Sequence, residues 1–313
     1  MNNIYSKIIS TGSYLPDKVL TNYDLEKIVD TSHDWIFERT GINQRHIAKN
    51  NESSVDMAYH ASLNCIERSG ISIDEIDMIV VATTTPERVF PSSAVLLQNK
   101  LKIENSFAFD INAACTGFIF ALDLADKYIK SKSVSNVLVV GTEKMSSLID
   151  WKDRNTCVLF GDGAGAAILS ASDDPGIISS TIGSNGSYKD LLTVNPDSDF
   201  IEMKGNDVFK IAVNTMGKLA KETLTSNNLS IDQIDWLIPH QANSRIINAI
   251  AKKLSLSDDK IIMTVGDHGN TSAASIPLAM DHAYINGSLK QDDMILFEAF
   301  GAGFTWGSTL LKF

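Results

Sequence analysis

The chain has 313 residues, 44% of them apolar and 21% charged, with a formal net charge of −11. That length points to about two domains of roughly 150 residues each, and the acidic balance excludes a whole-protein field that would attract nucleic acid or an anionic membrane. The cysteines Cys65, Cys115 and Cys157 are widely spaced and form no CxxC pair. Neither a structural zinc site nor a disulfide framework is expected, and a reducing compartment is.

The first residues, MNNIYSKIISTGSYLP, lack the basic start and long apolar core of a signal peptide. No stretch approaches the roughly 18 apolar residues of a membrane span, so a cytoplasmic location is expected. His33, His46 and His60 lie in polar contexts and read as solvated. Residues 54–69 place Met57, Ala58, Ala61, Cys65 and Ile66 at helical spacing, and Gly70 supplies a stop. Residues 79–82 are a short buried strand. A strand-like run, SFAFDI, then passes through Asp110 to Cys115, which opens an almost wholly apolar helix over 116–129. A helix of that kind belongs between layers. GDGAGAA at 161–167 and FGAGFTWG at 300–307 lack the P-loop Lys-Ser/Thr and do not match GxGxxG. They read as tight turns, and no nucleotide cofactor or metal is expected. Residues 208–224 make another amphipathic helix, and 236–239 (WLIP) another strand. His282 lies in a late helical stretch.

These elements repeat. IDEIDMIV at 73–80 recurs as IDQIDWLI at 231–238, an offset of 158 residues. The same offset carries NVLVV at 136–140 onto MILFE at 294–298, and the strand ending at Asp110 onto a strand-like stretch ending at Asp267–His268. The pattern predicts a duplicated α/β fold, with one half over residues 1–172 and the other over 173–313.

Cys115 opens its helix, where unpaired N–H groups favour thiolate over thiol. An isolated cysteine on an apolar element is more often a small hydrophobe, and Cys65 and Cys157 fit that account. His240 follows the second-half strand, a common ligand position in open α/β folds; His268 is its rival. Asn270, after Gly269, would by itself be a helix cap. The duplication gives it more, because Asn270 matches Asn112, three residues before Cys115. The two related helix starts should face each other, bringing Cys115, His240 and Asn270 into one cavity.

At CTGF, PHQAN and HGNTSAAS the chain resembles the β-ketoacyl-acyl-carrier-protein synthase III family. The likeness runs the whole length, through TGSYLP, TSHDWIFERTGI, FGDGAGAA and LFEAFGAGFTWGS. It implies a thiolase-like, five-layered α-β-α-β-α homodimer and a Cys-His-Asn triad at Cys115, His240 and Asn270. It implies that Cys115 takes an acyl group from acetyl-CoA, with the oxyanion held by the backbone N–H groups of Cys115 and Ala302. Malonyl-acyl-carrier protein would then lose carbon dioxide beside His240 and Asn270, and the carbanion would attack the acyl-Cys115. The resemblance further implies that Trp35 and Arg154 clasp the adenine of coenzyme A, and that Thr31, Arg39, Gly205, Asn206, Phe209, Ala242 and Asn243 line its tunnel. Phe300 would sit against the triad, and Phe90 and Met145 would shape the acyl pocket, Phe90 in the partner subunit. The family's GGGF is GAGF here, which keeps the backbone donor.

An acidic carrier protein needs a basic patch on this acidic chain. Arg245, Lys252 and Lys253 are placed about two helical turns apart on one face, beside Gln241, Ala242, Asn243 and Ser244, and they are the expected docking site. A solvated charged face is the plainer account. A degradative thiolase normally needs a second late cysteine, and none follows Cys157. Elongating ketosynthases carry a histidine where this chain has Asn270. An acyl-CoA-using ketosynthase of secondary metabolism and a non-catalytic acyl-binding module are the remaining alternatives.

Overall fold

The computed structural model describes residues 4–195 and 197–313. Its first sheet is built from β1 (Tyr5–Tyr14), β2 (Met78–Ala82), β3 (Phe107–Ile111), β4 (Asn136–Lys144) and β5 (Asp162–Ser172), in the order β1-β5-β4-β2-β3. The second holds β6 (Ile177–Ser184), β7 (Trp236–Pro239), β8 (Met294–Gly301) and β9 (Thr305–Lys312), in the order β7-β8-β9-β6.

The two sheets share one plan. β2 lies parallel to β4 with Met78 opposite Val137, and β7 lies parallel to β8 with Trp236 opposite Ile295. Each register pair is displaced by the 158 residues read from the sequence. In both sheets the next two strands run antiparallel. The 3-10 turns Ile73–Glu75 and Ile231–Gln233 match at the same offset, as do Ala114–Thr116 and Ser272–Ala274. The halves differ in their connections: residues 145–161 join β4 to β5, whereas residues 302–304 suffice between β8 and β9.

The helices are α1 (His33–Thr40), α2 (Ser54–Ser69), α3 (Ser93–Leu101), α4 (Gly117–Lys130), α5 (Gly205–Ser226), α6 (Ser244–Leu254) and α7 (Ser275–Ile285). α2 and α3 cover the outer face of the first sheet, and α5, with α6 packed on it, covers that of the second; α4 and α7 touch strands of both sheets and form the middle of five layers. Local sequence sets the helix limits. Ser53 and Asp56 form a capping box at the start of α2, and Gly70 ends it at φ 76°, a left-handed conformation that glycine adopts without strain. α4 buries Phe118, Ile119, Leu122 and Ile129, as its apolar composition requires. Burial of each such side chain stabilises by about 1.5–3 kcal/mol. Its two buried acids, Asp123 and Asp126, pair with Lys127 and Lys130 one turn later.

Two expectations are corrected. The stretch ending at Asp267–His268 is the helical turn Val265–His268, not a strand. The Gln241 side chain explains why: its Oε1 accepts the N–H groups of Thr264 (2.8 Å) and Val265 (3.1 Å), so those donors are not free for a ladder. Strand-like pairing with β7 is reduced to a single bridge between Leu237 and Ile261. His33 and His46 are half-buried, not solvated. His33 stacks on Tyr23 and Phe37, and His46 Nδ1 lies 2.6 Å from the carbonyl of Pro16.

Candidate active site

Cys115 lies in the 3-10 turn Ala114–Thr116 that leads into α4. The turn Ser272–Ala274 leads into α7 in the same way, and the two turns touch. Each begins with a non-glycine residue in left-handed conformation, Ala114 at φ 48° and Ser272 at φ 49°. Gly301 passes close by: a Cβ there would stand 2.9 Å from the Cys115 nitrogen. Cys115 is buried. Burial pushes its thiol up to about 12, with Ser272 opposing the shift and the nearby Glu143 carboxylate adding to it. Desolvation thus opposes the thiolate preference expected from the helix start.

His240 follows β7 and is 4% exposed. Its backbone N–H donates to the Glu298 carbonyl at 2.7 Å, continuing the parallel ladder. Burial pushes its imidazole down to about 3, so the ring is neutral at physiological pH. Nδ1 lies 2.7 Å from Ser275 Oγ. Among the described residues that hydroxyl's only other partner is a donor, the Gln241 N–H at 3.3 Å, so Nδ1 is the acceptor within reach of its proton; with that proton directed there, the imidazole proton sits on Nε2.

Asn270 is held on both sides of its backbone by the 159–161 segment: its N–H donates to the Leu159 carbonyl (2.8 Å), and its carbonyl accepts the Gly161 N–H (3.0 Å). Asn270 Oδ1 accepts the Ser272 N–H at 2.9 Å. A backbone N–H can only donate, so the amide is oriented and Nδ2 is the group left to donate elsewhere. Asn112 repeats the contact in the first half, its Oδ1 accepting the Ala114 N–H at 3.4 Å.

Cys115, His240 and Asn270 all line one cavity of about 390 Å³, together with Phe300. Its outer part is lined by Trp35, Arg39, Gly205, Asn206, Phe209, Ala242, Asn243 and Arg245. The Arg39 and Arg154 guanidinium carbons lie 4.7 and 4.9 Å from the Trp35 ring centroid. Thr31 is half-buried and does not reach this cavity. A second cavity of about 470 Å³ also opens on Cys115 and is lined by Met145, Leu148, Ser272 and Ala302. Phe90 is 82% exposed and enters neither cavity of its own chain.

The docking set is divided by the structure. Arg245 and Lys252 are exposed and seven residues apart, so they share a face of α6; Lys253 is turned by about 80° at 3.6 residues per turn. Its Nζ donates to Asn214 of α5 at 2.5 Å. Asn243 caps α6 by accepting the Ile246 N–H, and Ser244 packs where a Cβ on Gly41 would stand. Gln241 is a correction. It is 1% exposed, and its amide donates to the carbonyls of Pro239 and Ile262 while accepting from Thr264 and Val265. It brackets the backbone and has nothing left for a partner.

Reading the sequence missed two groups. Ser275 sets the His240 tautomer, and nothing in the linear pattern marks it. Glu143 ends the apolar run NVLVVGTEK on β4, a carboxylate in a buried strand, and that was a legible signal. It is fully buried, which raises its pKa. It accepts from the Thr84 N–H (3.1 Å), Thr84 Oγ1 (3.0 Å), Thr85 Oγ1 (2.7 Å) and Ser272 Oγ (3.1 Å).

Residues 109–186 match the family model for 3-oxoacyl-[acyl-carrier-protein (ACP)] synthase III, and residues 224–313 match the model for its C-terminal part. The β-ketoacyl-[acyl-carrier-protein] synthase III of Xanthomonas campestris is 52% identical over 321 residues, covering 99% of each chain. The crystal structure of 3-oxoacyl-[acyl-carrier-protein] synthase III from Aquifex aeolicus superimposes with a TM-score of 0.96 at 48% identity, covering 98% of this chain and all of that one. The priming β-ketosynthase of the R1128 polyketide pathway has a TM-score of 0.95 at 34% identity, covering 99% of this chain and 97% of that one. With relatives of this identity along its whole length, the chain belongs to the 3-oxoacyl-[acyl-carrier-protein] synthase III family and has its thiolase-like fold.

Proposed function

We propose that this enzyme joins an acyl-CoA primer, acetyl-CoA first among them, to malonyl-acyl-carrier protein by decarboxylative Claisen condensation. The products are acetoacetyl-acyl-carrier protein, coenzyme A and carbon dioxide, and the reaction starts fatty-acid synthesis. The observation that carries the residue assignment is the meeting of Cys115, His240 and Asn270 in one cavity from distant parts of the chain. Identity of 52% to the Xanthomonas campestris β-ketoacyl-[acyl-carrier-protein] synthase III, against 34% to the polyketide priming enzyme, favours the primary pathway over a specialised one.

In the first step Cys115 attacks the primer thioester, and its own N–H and that of Ala302 hold the oxyanion. Coenzyme A enters through the 390 Å³ cavity, with its adenine inserted between Trp35 and Arg154 in place of their present contact. Arg39, Gly205, Asn206, Phe209, Ala242 and Asn243 line its path, and Thr31 stands beside it. The acyl group lies toward Met145 and Phe300, and Phe90 of one protomer closes the acyl pocket of its partner in a homodimer.

In the second step malonyl-acyl-carrier protein docks on Arg245 and Lys252. His240 donates from Nε2 and Asn270 from Nδ2 to the thioester oxygen, which becomes negative as carbon dioxide leaves. Both are neutral donors, so neither has to change protonation during the step. Loss of carbon dioxide itself generates the carbanion, so the chemistry calls for no redox cofactor or metal. The pseudo-symmetric halves, residues 1–172 and 173–313, divide the labour: nucleophile from the first, carbanion-stabilising donors from the second. We place the enzyme in the cytoplasm; among the described residues no helix is long and apolar enough to cross a membrane.

Mass spectrometry after incubation with acetyl-CoA tests the assignment. An acetyl adduct on Cys115, absent in Cys115→Ser, supports it. An adduct on Cys65 or Cys157, or on no cysteine, refutes it and would suit a non-catalytic acyl-binding module.

A further inference from the structure

Asn112 and Asn270 close equivalent turns, but they are held differently. Asn112 is exposed and accepts the Ala114 N–H at 3.4 Å, whereas Asn270 is 7% exposed and accepts the Ser272 N–H at 2.9 Å. The turn is shared, so the difference lies outside it. Residues 145–161 have no counterpart of their length in the second half, and the last four of them clamp Asn270. Phe160 forms a parallel bridge with Asn270, and the Leu159 carbonyl and Gly161 N–H take up the Asn270 backbone at 2.8 and 3.0 Å. Val158, Leu159 and Phe160 also line the cavity that holds Asn270.

Behind this clamp stands a charge that the condensation chemistry does not use. Arg45, from the short strand Gln44–His46, is completely buried and lines neither cavity. Its Nη2 donates to the Val158 carbonyl at 2.7 Å. Its Nη1 donates to the Leu20 carbonyl at 3.1 Å and to Asn22 Oδ1 at 3.0 Å. All three acceptors are neutral, and Nε has no partner among the described residues. Burial pulls the guanidinium down from 12.5 to about 10, so it stays charged at neutral pH. A desolvated cation without a carboxylate is costly, and an apolar side chain of like volume would fill the space without that cost. Arginine instead offers a flat fork that fixes oxygens on two sides of itself. Its stem is equally tied: a Cβ on Gly161 or on Gly269, one on each side of the clamp, would stand 3.0 Å from Arg45 Cβ.

The far end of the fork rests on a frame. Asn22 donates from Nδ2 to the Ile42 carbonyl at 2.6 Å and from its backbone N–H to the Asn43 carbonyl at 3.1 Å. The Asn43 N–H donates to the carbonyl of Gly266, four residues before Asn270, at 2.8 Å. The frame thus meets the surroundings of Asn270 twice, through Asn43 on Gly266 and through Arg45 on Val158.

We infer that Arg45 is a positioning residue for Asn270: its fork holds segment 158–161 against the frame of residues 20–22 and 42–45, and that segment fixes the amide that stabilises the enolate. The inference rests on Asn270 being a donor in decarboxylation. Arg45 acts through Asn270 alone.

The test separates the two half-reactions in the intact enzyme. Arg45→Lys keeps the charge but replaces the fork by a single ammonium, which cannot span Val158 and residues 20–22 together. A misplacement of about 1 Å costs up to about 100-fold at a reacting centre. The kcat for malonyl-acyl-carrier-protein decarboxylation should therefore fall by about 10- to 100-fold in Arg45→Lys, with KM little changed. Single-turnover acetylation of Cys115 at saturating acetyl-CoA, measured on the same folded sample, should change little. The double variant Arg45→Lys/Asn270→Ala should be no slower than Asn270→Ala, because both substitutions act on one donor. If Arg45→Lys fails to fold, Asn22→Ala takes one acceptor from the fork and should show a smaller loss, again confined to decarboxylation and absent on the Asn270→Ala background. Decarboxylation at the wild-type rate overturns the inference, as do equal losses in both half-reactions or losses that multiply in the double variant. An Asn270→Ala enzyme that decarboxylates normally would instead sink the reading of Asn270 itself.

Discussion

Ser275→Ala isolates the tautomer of His240. The hydroxyl donates to Nδ1 at 2.7 Å and thereby places the proton on Nε2, facing the cavity. Without it both nitrogens compete for the proton, and the donating form is no longer enforced. The bond is neutral and buried, worth about 0.5–1.5 kcal/mol net. The upper end of that range corresponds to a loss of about tenfold in rate. Removing the donor outright, in His240→Ala, should cost about 100- to 1,000-fold. The assay is carbon dioxide release from malonyl-acyl-carrier protein, run beside acetylation of Cys115. Decarboxylation should fall by about tenfold in Ser275→Ala while acetylation changes little. The Gln241 N–H also loses its 3.3 Å acceptor, so a melting curve should accompany the rates. A Ser275→Ala enzyme as crippled as His240→Ala, or one with equal losses in both half-reactions, would refute the tautomer argument.

Three further outcomes are expected. Arg245→Glu should raise the KM for malonyl-acyl-carrier protein and steepen its response to salt, leaving acetylation by acetyl-CoA nearly unchanged; equal damage to both assays would show that its cation–π contact with Phe209, at 5.5 Å, matters more than docking. Gly301→Ala should abolish the acetyl adduct, because its Cβ would press to 2.9 Å against the Cys115 nitrogen and Thr305 Oγ1 and displace an oxyanion donor; a normal adduct would place that donor elsewhere. His268 is pushed down from 6.5 to about 4, first by burial and then by His46 and His282. Its unfolded form therefore binds the extra proton, so its contribution to stability is complete above pH 6.5 and is lost as pH falls toward 4. Between pH 7.5 and 5 that loss is about 2 kcal/mol, and urea titrations of His268→Gln should show a pH dependence weaker than wild type by that amount. An unchanged dependence would mean that His268 does not stay neutral in the fold.

Much of this molecule was legible as spacing. The 158-residue offset fixed the paired registers at Met78 and Trp236, the matched 3-10 turns, and the meeting of the segments that carry Cys115 and Asn270. It failed beside β7, where the side chain of Gln241 captures two backbone donors and turns a strand into a helix. Spacing shows where an element lies, but it does not show which side chain will intercept a backbone group, and the Ser275–His240 contact was hidden for the same reason. The burial that opposes the helix start at Cys115 is likewise invisible in the linear pattern: a helix start acts through fractional charge, whereas burial removes the solvation of a whole one.

The mismatches within the repeat say why two similar halves yield one active site. Cys115 corresponds to Ala273, His240 to Ala82, Ser275 to Gly117, Ser272 to Ala114 and Glu143 to Gly301. In each pair one member brings a polar or nucleophilic group, and the other is alanine or glycine. The pseudo-axis passes between two turns that touch, so two full sets of side chains would compete for the same volume. Gly301 shows the constraint: even a methyl group there would collide with the Cys115 backbone. The small residues are thus the complement of the reactive ones. At the site itself the Asn112–Asn270 pair keeps the same side chain in both halves, each closing its own turn through Oδ1. Of these, only the amide of Asn270 stands in the cavity with both His240 and Cys115. Duplication supplied the frame, and the loss of side chains on one side of each pair made room for a single nucleophile and its partners.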